Sequence, residues 1–198
     1  MLMLGISTSG RVPSVEVARD GIMLSRFVGR SGASFSTVLM ELIELAVSEA
    51  KIELSELDAI AVDIGPGSFT GVRIGVSCAN AMAMALGIPV IPVSSLAALR
   101  HLENEEGTVC VMLDCRHGNC YAAVYENGAE KLAPCAAVTE EVLKTLPEDA
   151  RIVGDAVDGH DDFPQAELVL KEAFLKGQPA KEAVPMYLRP SQAERMKK

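Results

Sequence analysis

The sequence predicts an α/β protein made of two half-domains, residues 1–103 and 104–198. Three observations predict this class. Apolar residues cluster in short, strand-length runs, they recur at helical spacing over residues 36–50 and 69–86, and the charged stretch 103–107 separates two such sets of elements. With 198 residues, 49% of them hydrophobic and only 4% aromatic, the chain is long enough to bury a core of aliphatic side chains.

The first half-domain begins with three predicted strands, at residues 2–8, 14–18 and 22–27, of which the last two are joined by a turn at Asp20-Gly21. The remaining elements follow in chain order. They are a helix at 36–50, a strand at 58–64, a helix at 69–86 that Gly87 ends, a strand at 89–93, and a helix from Ser94 or Ser95 to about residue 102.

The second half-domain repeats the strand-rich beginning of the first. Strands are predicted at residues 108–113 and 120–125, on either side of a turn at 114–118. A short helix near 139–145 and strands near 151–153 and 167–170 complete the prediction.

A glycine-rich string joins the fourth strand to the second helix, and we call residues 65–75 the signature loop. Its residues are Gly65, Pro66, Gly67, Ser68, Phe69, Thr70, Gly71, Val72, Arg73, Ile74 and Gly75. The string lacks the Gly-Lys-Ser/Thr ending of a P-loop, and proline removes one backbone N–H that would hold phosphate. An anion site stays open. The favoured interpretation is a tight turn in which Ser68 caps the helix while Gly71 and Gly75 allow close backbone packing.

Composition limits the classes of partner. The formal net charge of −9 disfavours a direct electrostatic grip on nucleic acid, so any RNA is expected to be held by another subunit. No membrane span or secretion signal is predicted, which suggests a cytoplasmic protein. The five cysteines form no Cys-x-x-Cys pair and the three histidines are far apart, so neither a metal nor another cofactor is expected.

The two long helices carry more apolar surface than one contact with a sheet requires. This surplus suggests a partner face, for which the sequence nominates six residues. They are Leu39, Ile43 and Ala46 on the first helix, and Val76, Ala79 and Met82 on the second. The alternative is that both helices lie inside the core of the chain itself.

The signature loop resembles that of the TsaB (YeaZ) family, and further motifs of that family follow in the same order. The matching segments are Ser7-Thr8-Ser9, 57–61, Pro89-Val90, 93–96, Asp114-Cys115-Arg116 with Tyr121, and 185–189. The resemblance implies an actin/Hsp70/sugar-kinase-like (ASKHA, ribonuclease H-like) fold of two related half-domains, the second one shortened.

The family resemblance also implies a function. The chain would be a non-catalytic subunit, a homodimer when isolated, that supports a TsaD-like catalytic subunit together with a TsaE-like ATPase. That complex threonylcarbamoylates the adenosine next to the anticodon of tRNAs that read ANN codons. This chain would therefore contact tRNA only as part of the complex.

The sequence departs from the family at two positions. Ser7 stands where many relatives have an aspartate, which in the wider superfamily organises nucleotide-bound Mg²⁺, and Phe35 stands where many have histidine. Asp114 and Arg116 are candidates for an interdomain cleft or for a structural ion pair. The alternative functions are a nucleotide-binding ASKHA protein and a glycoprotease-like metallopeptidase, but no catalytic residue is nominated.

Overall fold

A computed structural model describes residues 1–30, 32 and 34–189. Within these residues the chain forms nine strands and five α-helices. The strands are β1 (Leu2–Ser7), β2 (Ser14–Arg19), β3 (Ile22–Val28), β4 (Ala59–Asp63), β5 (Val90–Val93), β6 (Thr108–Asp114), β7 (Asn119–Glu126), β8 (Ala129–Val138) and β9 (Arg151–Gly154). The α-helices are α1 (Phe35–Ala50), α2 (Phe69–Leu86), α3 (Ser95–Leu99), α4 (Thr139–Thr145) and α5 (Ala166–Lys176).

The first sheet has the strand order β3-β2-β1-β4-β5. Strand β1 pairs antiparallel with β2 and parallel with β4, and β5 continues the parallel side. Because side chains alternate along a strand, β1 serves two cores: Leu4 and Ile6 join the cluster under α1 and α2, whereas Met3 joins the cluster under α3 and α5. Both faces of this sheet are therefore covered by helices.

The second sheet has the order β8-β7-β6-β9, with β6 to β8 antiparallel and β9 parallel to β6. This order repeats the first four strands of the first sheet and stops before a fifth. Alternate residues of β6 point to α4 on one side and to the cluster shared with α3 and α5 on the other. The prediction of two related halves with a shortened second one is confirmed.

Two elements of the second half differ from the prediction. Residues 167–170 are not a strand but lie in α5, where an apolar run that suits a buried strand equally suits a helix with a wide buried face. Strand β8 was missed because it is a mostly exposed edge strand with Glu130, Lys131 and Pro134, and so lacks apolar alternation.

Helix α5 also bears on the division of the chain. It belongs to the second half in sequence, yet it packs against β1, β2, β4 and β5 of the first sheet. The boundary between residues 103 and 104 stays a prediction.

A buried charge network ties α5 to the end of α3. Glu172 accepts hydrogen bonds from Arg100 (2.7 Å) and lies 2.6 Å from Nε2 of His101, with the side chains of both partners almost wholly buried. Burial acts to raise the pKa of Glu172, but the hydrogen bonds and charges of its two partners bring that pKa below its ordinary value. The network is thus built around an ionised carboxylate.

Helix α2 corrects one expectation about membranes. Its 18 residues have a mean hydropathy of 1.3, so by length and composition it passes as a membrane span, contrary to the prediction that no apolar run does. In the fold one side of α2 lies on the first sheet, with Val72, Val76, Ala79 and Ala83 in the core. Core helices of this kind meet the same criterion as spans, which makes it weak evidence for a membrane.

Candidate functional site

A cleft of about 1070 Å³ opens between the two halves, where the chain leaves β1, β4 and β6. Its lining brings together most of the signature loop and both predicted cleft residues. The predicted residues that line it are Pro66, Gly67, Ser68, Phe69, Thr70, Val72, Arg73, Asp114 and Arg116. Gly65, Gly71 and Gly75 do not line it, because Gly65 faces Val72 and Met186 while Gly71 and Gly75 lie against Thr8 after β1.

Ser68 caps α2, as the sequence predicts. Its hydroxyl accepts a hydrogen bond from Gly71 N (3.2 Å), and its own backbone N–H donates to Ser9 O (2.8 Å). Gly67 is close to the same segment, since a Cβ on it would come within 2.6 Å of Ser9 O. The loop is therefore held against the residues that follow β1.

Gly71 and Gly75 let α2 lie directly on Thr8. A Cβ on Gly71 would overlap the Thr8 carbonyl oxygen, and a Cβ on Gly75 would overlap Thr8 Oγ1, both well inside the 3.0 Å that real Cβ atoms keep. Thr8 Oγ1 also donates to Gly71 O (2.7 Å). The prediction that these glycines serve close packing on the neighbouring strand end is confirmed.

Three side chains stack at the mouth of the cleft. The rings of Phe69 and Tyr187 lie 4.7 Å apart, and the Arg73 guanidinium lies 4.0 Å from the Phe69 centroid. Arg73 Nε donates to Tyr187 Oη (2.8 Å). This stack attaches the segment near the C-terminus to the first turn of α2.

The same segment is fixed along its path to the cleft. Asn80 Nδ2 on α2 donates to Ala183 O (2.9 Å), and Asn80 Oδ1 accepts from Ala183 N (2.8 Å). Met186 N donates to Ile64 O (2.7 Å). Beyond the stack, Arg189 donates to Cys115 Sγ (3.2 Å) in the second half. The segment therefore spans the cleft from one half to the other, which the sequence suggested only as a family motif.

Asp114 and Arg116 are both in the cleft, but the alternative of an ion pair between their side chains is wrong. Asp114 Oδ1 instead accepts from the backbone N–H of Arg116 (2.8 Å), whose φ is +71°. Asp155 in turn accepts from Asp114 N (2.8 Å) and pairs with Arg11 (3.7 Å). The acidic groups here shape the turn after β6.

The cleft is cationic on an acidic protein. Four arginines, Arg11, Arg73, Arg116 and Arg189, line it against two carboxylates, Asp114 and Asp155. Its chemistry therefore favours an anion. The Ser68 hydroxyl is engaged in capping, and among the described residues no three His, Cys, Asp or Glu are grouped to hold a metal ion.

Asp63 is the residue that sequence reasoning missed. It ends β4, is fully buried, and accepts hydrogen bonds from Ser7 Oγ (3.0 Å), Ser9 Oγ, Ser95 Oγ (2.5 Å) and Gly65 N (2.9 Å). The available signal was an acidic residue at the end of an apolar strand, two residues before the signature loop. Ser7, noted above as a departure from the family, is one of its donors.

The six residues nominated for a partner face require a correction. Five of them, Leu39, Ile43, Ala46, Val76 and Ala79, are at most 3% exposed and belong to the core under the first sheet. Met82 is half-buried. The periodicity located the apolar side of each helix, but the first sheet covers that side, so these five residues are not an exposed surface.

Different apolar residues of the same helices are exposed. Met40 and Leu45 on α1 and Met84 on α2 are 47%, 51% and 83% exposed. Between the helices, Cys78 Sγ lies 3.7 Å from Met40 Sδ and 3.8 Å from Met82 Sδ. We call the outer surface of α1 and α2 the helical face. Its apolar residues are the exposed Met40, Leu45 and Met84 and the half-buried Cys78 and Met82.

The family model described as TsaD, tRNA N6-adenosine threonylcarbamoyltransferase, matches residues 31–176. The chain is 31% identical over 185 residues to the tRNA threonylcarbamoyladenosine biosynthesis protein TsaB of Bacillus subtilis, covering 89% of this chain and 79% of that protein. It is also 31% identical to TsaB of Escherichia coli, covering 65% of this chain and 58% of that protein. The match to the threonylcarbamoyltransferase of Chlorobium chlorochromatii covers only 32% of that enzyme.

A solved structure supports the same assignment. YeaZ from Pseudomonas aeruginosa superposes with a TM-score of 0.74 at 27% identity, over 94% of this chain and 99% of that one. A second Pseudomonas aeruginosa structure, described as similar to peptidase YEAZ, gives a TM-score of 0.77 at 26% identity, over 95% of this chain and 99% of that one. Together with the repeated sheet order, these matches show an ASKHA-like α/β fold, and the chain belongs to the TsaB (YeaZ) family.

Proposed function

We propose that this chain is a non-catalytic subunit in tRNA threonylcarbamoyladenosine biosynthesis, where it supports a TsaD-like catalytic subunit together with a TsaE-like ATPase. The process, tRNA threonylcarbamoyladenosine biosynthesis, is taken from the names of its relatives in Bacillus subtilis and Escherichia coli. The observation that carries the subunit role is the helical face, the outer surface of α1 and α2, on which Met40, Leu45 and Met84 are exposed.

Helix α2 is unusually apolar on its solvent side. Arg73 is its one charged residue in 18, and the exposed positions farther along are Ser77, Ala81, Met84 and Ala85. A helix that meets only water on its outer side normally carries several charges there, so a surface of small residues and methionines suits a protein partner. Flexible thioether side chains adapt to such a contact.

The cleft supports a non-catalytic role. The signature loop has no lysine to reach a terminal phosphate, and Ser7 stands at the position of the superfamily's metal-organising aspartate. Ser68 has a structural role at the helix N-terminus. Threonylcarbamoyl transfer is therefore assigned to the partner, and this chain is not the enzyme.

The acidic character of the chain supports indirect contact with RNA. A net charge of −9 repels the phosphate backbone, so tRNA is bound through the complex, in the cytoplasm. In the absence of its partner the chain forms a homodimer through the same helical face, because a self-complementary apolar patch pairs readily about a two-fold axis.

The test is co-purification of the chain with TsaD from the same organism, followed by a tRNA threonylcarbamoylation assay with the reconstituted subunits. Met84→Asp places a charge on the helical face and should reduce capture of TsaD and tRNA modification at least tenfold. Leu175→Asp is the matched control, since Leu175 is also an exposed helical residue (60%) but lies on α5. Both variants should keep the wild-type thermal transition.

Two results would count against this function. One is wild-type capture by Met84→Asp, which would remove the helical face as the contact. The other is modification of tRNA by TsaD and TsaE alone at the rate of the complete set, which would remove the need for this chain.

The cationic cleft supports a second candidate function, an autonomous nucleotide-binding module. Arg116 makes no ion pair among the described residues and so is available to an anionic ligand. Calorimetric titration of the isolated chain with ATP tests this: saturable heat that Arg116→Ala abolishes supports it, and no heat at millimolar ATP dismisses it.

A further inference from the structure

The carboxyl group of Asp63 is fully buried and has only neutral neighbours. Its four hydrogen-bond partners are three serine hydroxyls and one backbone N–H, from Ser7, Ser9, Ser95 and Gly65. No charged side chain contributes to its electrostatics. An ionised carboxylate without a cationic partner is expensive to bury.

The elements packed around Asp63 explain this neutrality. Strands β1 and β5, helix α3 and residues 64–68 contain no charged residue, and Arg11, two residues after Ser9, pairs with Asp155 and Asp161. The charged residues of the two other surrounding helices make contacts elsewhere. These are Arg73 with Tyr187, Glu167 with Arg26, Glu172 with Arg100 and His101, Lys171 with the carbonyl of His101, and Lys176 with the carbonyl of Gly128.

The hydrogens available for this cluster can be counted. Ser7 Oγ lies 3.0 Å from Asp63 Oδ2 and also 3.0 Å from the carbonyl oxygen of Pro164, which has no hydrogen to give. The single Ser7 proton cannot serve both acceptors fully. The Ser9 and Ser95 hydroxyls and Gly65 N–H already point to the carboxyl group.

One added proton resolves this conflict. If Oδ2 of Asp63 carries a hydrogen, that hydrogen is donated to Ser7 Oγ, and Ser7 donates its own to Pro164 O. Each of the five contacts made by Asp63 and Ser7 then has one hydrogen, and only the longer contact between Ser95 Oγ and Ser9 Oγ (3.2 Å) has none, because both of those hydroxyls donate to the carboxyl group. If Asp63 is ionised, Ser7 must abandon either the carboxylate or Pro164.

We propose that Asp63 is a neutral carboxylic acid in the folded protein at neutral pH, and that its proton completes a hydrogen-bonded junction between the two halves. The junction joins four segments: the end of β1, the signature loop at Gly65, the start of α3 at Ser95, and Pro164 before α5. Asp63 is thus a positioning residue for the floor of the cleft.

Burial raises the pKa of Asp63, and the hydrogen bonds from Ser9, Ser95, Gly65 and Ser7 offset only part of that rise. The sign of the resulting pH dependence follows. Between the pKa of an unfolded aspartate, about 3.9, and the higher pKa in the fold, the native state holds a proton that the unfolded state has lost. Stability contributed by this group is therefore full below pH 3.9 and decreases as the pH rises through that window.

The first test compares the wild type with Asp63→Asn, whose neutral amide can donate as the acid does, by urea unfolding from pH 4.5 to 9. The ratio of the two folding equilibrium constants, wild type over variant, should fall about tenfold per pH unit and level off only above pH 7. Other titrating groups cancel in this ratio. A ratio that is flat from pH 5 to 7 would overturn the proposal.

The second test is infrared spectroscopy of the wild-type protein at pH 7, which requires no variant to fold. A protonated carboxylic acid gives a C=O band separate from that of carboxylates, and the band should shift in D₂O. Glu16→Gln provides the control, because burial also raises the pKa of Glu16, which is paired with Arg26. A band that survives in Glu16→Gln supports Asp63, whereas no band at pH 7, or its loss in Glu16→Gln, refutes the assignment.

Discussion

The contact between Thr8 and Gly75 predicts that Gly75→Ala destabilises the wild-type protein but stabilises a Thr8→Ala variant. In the wild type, Gly75→Ala pushes a methyl group into Thr8 Oγ1, a buried hydroxyl that is held by Gly71 O. Overpacking of this kind costs about 1–3 kcal/mol. The gain in helix propensity from glycine to alanine returns about 1 kcal/mol, so the net loss is about 0–2 kcal/mol.

Removing the hydroxyl should reverse that result. In a Thr8→Ala background the next atom facing the new methyl group is Thr8 Cβ at 3.5 Å, an ordinary van der Waals contact. Gly75→Ala should then stabilise the protein by about 1 kcal/mol through helix propensity alone. Thr8→Ala itself should cost about 1 kcal/mol for the lost hydrogen bond.

Gly71→Ala is the matched control because its methyl group meets the backbone carbonyl of Thr8, which no side-chain change removes. It should cost about 3 kcal/mol in both backgrounds. Free energies of unfolding from urea melts of the six proteins give both coupling energies. Equal effects of Gly75→Ala in the two backgrounds, or rescue of Gly71→Ala by Thr8→Ala, would refute the packing argument.

Three further outcomes are expected. Ser7→Asp places a second carboxyl group about 3 Å from Asp63 in a buried site. It should cost more stability at pH 7 than Ser7→Ala, which only removes a hydrogen bond and should cost about 1–3 kcal/mol. Equal urea midpoints of the two variants would contradict this. Tyr187→Ala should speed limited proteolysis of the segment around residues 183–189. Tyr187→Phe, which keeps the ring against Phe69, should have a smaller effect. Identical cleavage rates for the two variants would exclude the stack as the anchor of this segment. Glu172→Gln should lower the free energy of unfolding by about 3–5 kcal/mol at pH 7. Because the pKa of Glu172 is lowered in the fold, the difference in stability between wild type and variant should shrink as the pH falls below about 4.5. A constant difference down to pH 3 would be inconsistent with an ionised Glu172.

Local patterns were sufficient for most of the secondary structure. Helix α2 begins at Phe69 and ends at Leu86, as predicted, because Ser68 and Gly87 are strong boundary signals that act within one turn. The failures are elements whose state depends on distant contacts. The run Leu168-Val169-Leu170 became helical because its neighbours pack on β1 and β4, and β8 forms because β7 offers it an edge.

The partner face shows the limit of periodicity. Spacing identifies which side of a helix is apolar, yet it cannot say whether a sheet or another protein covers that side. Ile43 and Ala79 lie on the apolar side that the spacing identifies, and they are buried in the core. Met84, in contrast, is 83% exposed to solvent. The pairing of each helix with the first sheet decided this.

The sequence by itself determined the element order of the first half, the helix boundaries around the signature loop and the family, because each rests on residues that are neighbours in the chain. Only the tertiary structure decided what those residues contact. Asp63 contacts three serines, and Thr8 contacts two glycines, across separations of 32 to 67 residues. Such contacts form when strands align side by side, and no local pattern encodes which strand ends will meet.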